Sequence, residues 1–168
     1  MQLISLTFSD RHRATEVLAD LGDLSLDWGV PLDQAAAAVT VSKRGHVRVH
    51  QSHEAASAGA FLGGMAGFVA GLLVLAPGVG TAIGAATGGA IGSAADPLPL
   101  AGVDKDFLKS FGENLERDSS ALVVIVPDAG TAAALATLKA YDDGVIAQTV
   151  LDAATESAVE DAYAARTA

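Results

Sequence analysis

Residues 59 to 92 place glycine at every fourth position twice over: Gly59, Gly63, Gly67 and Gly71, then Gly80, Gly84, Gly88 and Gly92. On a helix, residues four apart share a face. Each ladder is therefore a groove along which a second backbone can approach closely. Each interior glycine costs about 1 kcal/mol relative to alanine, so four in one helix cost about 4 kcal/mol. Close packing along the groove has to offset that. Between the ladders, "APGVG" supplies Pro77 and Gly78, which stop one helix and let the chain reverse. The spacing predicts two antiparallel helices, over residues 56–76 and 79–95, zipped along their glycines.

The hairpin lies in an uncharged stretch, residues 55–95, flanked by Glu54 and Asp96. A first helix of about 20 residues would span a bilayer core of about 30 Å. The second, rich in Gly, Ala and Thr, would enter lipid only as half of a hairpin. The turn carries no polar side chain, so its tip is expected to be buried in lipid or in protein. Three settings compete: a membrane, an oligomer whose hairpins share a core, and burial within the monomer. A dinucleotide-binding reading of "LVLAPGVGTAIGAATG" places Asp96 18 positions after Gly78. It fails on context, because Pro77 interrupts the turn and no β-branched strand leads to Asp96.

The chain has 168 residues and a formal net charge of -10. That balance argues against nucleic acid as a partner, which requires a basic footprint. With no cysteine, disulfide scaffolds, thiolate zinc sites and cysteine nucleophiles are excluded. The opening "MQLISLTFSDRHRATEVL" lacks a basic region before an apolar run, which predicts no signal peptide and a cytoplasmic origin.

Around the hairpin the pattern alternates between strand and helix. "QLISLTF" predicts a strand, and "RHRATEVLADL" a helix capped by Ser9 or Asp10 and ended by Gly22. "AAAAVTVS" and "HVRVHQS" predict a β-hairpin turning at "KRG". "VDKDFLKSFGENLER" predicts an amphipathic helix capped by Asp104. "ALVVIV", "DAGTAAALATLKAY" and "GVIAQTV" predict strand, helix and strand, followed by a short, frayed tail helix. Residues 2–42 and 121–150 thus repeat one strand-helix-strand order. Two such units predict an α+β, ferredoxin-like sandwich with helices on one face of the sheet. The expected domains are a discontinuous α+β body over 1–54 and 96–152, the inserted hairpin over 55–95, and the tail over 153–168. Excised of its hairpin, the body is expected to fold alone.

"KRGHVRVHQSH" gathers three of the four histidines and three of the ten Lys and Arg residues. Lys43, Arg44, His46, Arg48, His50 and His53 form a candidate strip for lipid headgroups or pH sensing. The plainer reading is a solvated strand face. Trp28 reads as a packed anchor, and Ser119-Ser120 lacks the context of a catalytic nucleophile. No paired carboxylate, triad or metal cluster emerges, so no cofactor, no metal and no enzymatic activity are expected.

"DQAAAAVTVSKRGHVRVHQS", the glycine hairpin ending "GSAAD", "VDKDFLKSFGENLERDSSALVVIV" and "GVIAQTVL" occur in an order that resembles a known bacterial family. It is the domain of unknown function numbered one-two-six-nine, usually described as a membrane protein. The resemblance covers nearly the whole chain, departing at "PLPLAG" and at the alanine run 35–38. It implies the hairpin architecture and membrane association, and it brings no catalytic residue. The expectation is a non-enzymatic, membrane-associated protein with its α+β domain in the cytoplasm, self-assembling as a homo-oligomer. The alternative is a cytoplasmic assembly whose hairpins pack together.

Overall fold

β-Branched and large apolar residues make Gln2–Phe8 extend, and its alternation gives the strand two different faces. The computed structural model describes residues 1–24, 26–50, 65–76 and 102–167. Its strands are β1 (Gln2–Phe8), β2 (Ala36–Val41), β3 (Val47–His50), β4 (Ser120–Val126) and β5 (Val145–Val150). Its helices are α1 (Arg13–Gly22), the single turn α2 (Leu32–Ala35), α3 (Met65–Leu75), α4 (Lys105–Asn114), α5 (Thr131–Leu138) and α6 (Ala153–Thr167). A 3-10 turn, Asp128–Gly130, leads into α5.

The strands form one sheet in the order β3-β2-β4-β1-β5, and every neighbouring pair is antiparallel. The two strand-helix-strand units interleave. β4 lies between β1 and β2, and β1 lies between β4 and β5. The molecule is thus α+β, and the β2–β3 hairpin adds one more strand outside β2.

Helices cover both faces of the sheet, not one as the repeat predicts. Ile4, Leu6, Phe8, Leu122, Val124 and Val126 point toward α1 and α5, where they bury Val17, Leu21, Ala134 and Leu138. Leu3, Val39, Val41, Val123 and Ile125 point the other way and pack against α3, α4 and α6. The repeat contains only α1, the single turn α2 and α5. The helices of the second face come from the segments between and after the two units, which the repeat argument leaves without a place. Ala36, Ala37 and Ala38 are fully buried, so the alanine run supplies small residues to both faces of β2.

Local chemistry sets the helix ends. Asp104 caps α4 by accepting the Phe107 N–H at 2.9 Å, as expected of an N-cap. α1 begins later than predicted, at Arg13, with neither Ser9 nor Asp10 as its cap. Asp10 instead accepts the His12 N–H at 2.7 Å, tightening the turn before the helix. Ser120 ties this turn to β4, donating to the Asp10 carbonyl at 2.6 Å and accepting the Ala14 N–H at 3.0 Å. The tail is no short, frayed end. α6 runs for 15 residues, Asp152 accepts the Thr155 N–H at 2.8 Å before it, and Val159 is buried against the sheet.

Candidate functional site

α3 is apolar on every side, a pattern that belongs to helices covered all round. Phe68, Val69, Leu72, Leu73 and Ala76 are all buried in the core cluster shared with β2, β4 and α4. In that cluster α4 contributes Phe107 and Phe111, whose rings stack 6.2 Å apart. At roughly 100° per residue, Gly71 and Gly67 fall roughly 130° and 170° round the helix from the middle of this buried stripe. Gly71 is half-buried, and Leu75 beside it is 46% exposed. The large side chains therefore hold α3 to its own sheet, while the two rungs on α3, Gly67 and Gly71, fall by helical phase on the side turned away from it. Gly59, Gly63, Gly80, Gly84, Gly88 and Gly92 lie outside the described residues, as do the turn residues Pro77 and Gly78.

The basic strip follows the β2–β3 hairpin. Ser42 and His46 close the turn through the Ser42 N–H to His46 carbonyl bond at 2.9 Å, and Gly45 sits at φ +82°. That conformation suits glycine, which has no Cβ to clash. Val47 and Val49 pack toward α3. Arg48 and His50 alternate with them, opposite Thr40 and Ala38, and so face the α1 side. The strip and the ladder helix thus lie on opposite faces of the sheet at this edge. His50 Nε2 is 3.1 Å from Thr40 Oγ1. Burial, and then the charge of Arg48, hold its imidazole below the ordinary histidine range. Lys43 and Arg11 both approach Asp118, at 3.8 and 3.9 Å. Arg44 and His46 are exposed, and His53 lies outside the described residues.

Trp28 is 1% exposed. Its carbonyl would lie 1.9 Å from a Cβ at Gly130, so the loop before α2 packs directly onto the start of α5. Arg13 lies over the rings of Phe8 and Tyr141, at 5.9 and 5.7 Å, and donates to Asp143 at 2.7 Å. That bond, with the nearby guanidinium charge, lowers the Asp143 carboxyl below its usual range. These contacts tie loops and helix ends to the sheet. Among the described residues no group of three His, Cys, Asp or Glu side chains is arranged to hold a metal ion. Among them, too, no helix is long and apolar enough to cross a membrane.

A family model described as "Protein of unknown function (DUF1269)" matches residues 60–164. The match begins just after Gly59, the first rung of the first ladder, and ends within α6. No curated protein and no solved structure matches the chain.

Proposed function

The chain belongs to the DUF1269 family of proteins of unknown function, and from that premise we propose a non-enzymatic protein that assembles with copies of itself through its glycine ladders. One observation carries the proposal. α3 uses its large residues to dock on the sheet and turns its ladder away from it. An all-apolar helix in water needs cover on that second side as well. A glycine groove is suited to one kind of cover, another helix at close range. The second ladder, Gly80 to Gly92, has the matching spacing. Once zipped, the hairpin presents its remaining apolar side to the hairpins of neighbouring copies, and the α+β body stays in the cytoplasm.

The uncharged run 55–95, with no polar side chain at its turn, favours a second reading. Here lipid takes the place of neighbouring hairpins, and the protein associates with a membrane while α3 keeps its seat on the sheet. Arg44, Arg48 and the histidines beside them would then serve anionic headgroups. Fractionation distinguishes the readings. Self-assembly in water predicts a defined multimer in detergent-free buffer, measured by sedimentation velocity. Retention in the membrane pellet through an alkaline wash would carry the lipid reading instead. A soluble monomer would overturn both.

A further inference from the structure

The two edges of the sheet differ. β3 has four residues, and it carries Arg48 and His50 with His46 just before it. Short length and charge are the usual protections of an edge. β5 has six residues, "VIAQTV", with no charge, proline or glycine. Its backbone pairs with β1 along one side only. Val145 is 53% exposed and Val150 62% exposed, and among the described residues no strand pairs with its outer edge. An edge of this kind presents unpaired N–H and C=O groups at alternate residues, a template for one more strand.

We propose that β5 pairs antiparallel with β5 of a second copy, joining two five-stranded sheets into one. The occupant follows from the symmetry of the strand, which is uncharged along its length. A two-fold axis perpendicular to the sheet keeps each face with itself, so the residues placed opposite one another are of equal parity. Centred on Gln148, this sets Ile146 against Val150 and Ala147 against Thr149, each pair twice. β-Branched and apolar partners meet, and no charge opposes its like inside the strand. The acidic residues Asp142, Asp143 and Asp152 flank the strand, and this register brings Asp143 of one copy beside Asp152 of the other, so the contact should strengthen as salt screens them. The contact is independent of the glycine ladders, and each can fail alone.

The test uses the full chain and its Val150→Lys and Gln148→Lys variants, with Leu24→Lys as a control at a site 51% exposed away from the sheet. Sedimentation velocity over a concentration series measures the dimer. Both β5 variants should weaken it about tenfold or more, because a two-fold contact feels each change twice and lysine is disfavoured on a pairing edge. Leu24→Lys should leave it unchanged. Gly67→Ile, which targets the ladder, should leave the edge dimer in place. Amide exchange across Val145–Val150 in the unmodified chain should slow as concentration rises, a readout that survives even if a variant fails to fold. Exchange independent of concentration, or a dimer indifferent to both lysines, would overturn the proposal. A monomer that protects β5 only when an unrelated extended peptide is added would overturn it as well.

Discussion

At the scale of single residues, His50 is the group whose charge the fold resists. Folded, its imidazole is held below the ordinary value of 6.5, chiefly by burial and then by Arg48. The folded state therefore favours the neutral ring. The resulting stability is fully present above the unfolded value and is lost as pH falls through the folded one. Replacing His50 with glutamine keeps a hydrogen-bonding group near Thr40 and removes the titration. The urea midpoint of the unmodified protein should fall between about pH 7.5 and about pH 5.5, and that of His50→Gln should fall less. Equal falls would place the acid sensitivity elsewhere. Histidine and arginine two apart on a strand are visible in the sequence. Which face of β3 they share, and that it is opposite to α3, depends on pairing with β2 and cannot be read from spacing. Asp104 was legible as a cap because its environment is local. The Asp10 turn was not, because Ser120, 110 positions away, helps to hold it.

At the scale of elements, α3 joins the hairpin to the sheet. Leu72 is fully buried between β2, β3 and α4. Leu72→Ala should therefore lower unfolding free energy by about 2–5 kcal/mol, the cost of deleting a core leucine, as measured by urea denaturation. A helix lying in lipid and free of the sheet would show no such loss. The same packing implies that replacing residues 55–95 with a linker would uncover Val39, Val41 and Phe111. β1, β2, β4 and β5 were legible because alternation and β-branching mark a strand directly. The docked side of α3 was not, since a helix apolar on every side gives periodicity nothing to orient. The same limit applies to β5, where the residue pattern predicts a strand without telling an edge from a centre. α6 was underestimated for a different reason. Its alanine-rich run has a weak apolar face, and Val159 is seated by the sheet it meets.

At the scale of the whole molecule, a chain of net charge -10 repels its own copies in dilute salt. Association is then expected from surfaces without charge, and the two proposed above are the glycine hairpin and the edge of β5. The central claim concerns the first. By helical phase Gly67 falls away from the buried stripe of α3, so an isoleucine there is expected to leave the core cluster untouched. In helix propensity the change is favourable by several tenths of a kcal/mol. In a zipped pair the added side chain drives the backbones apart, at about 1–3 kcal/mol for overpacking. Sedimentation velocity on Gly67→Ile, beside Gly64→Ile one position off the ladder, sets these opposed effects against each other. The account predicts that Gly67→Ile loses the ladder-dependent assembly while the urea midpoint of the α+β body holds, and that Gly64→Ile assembles as before. Assembly unchanged in Gly67→Ile, or equally lost in both, would contradict it.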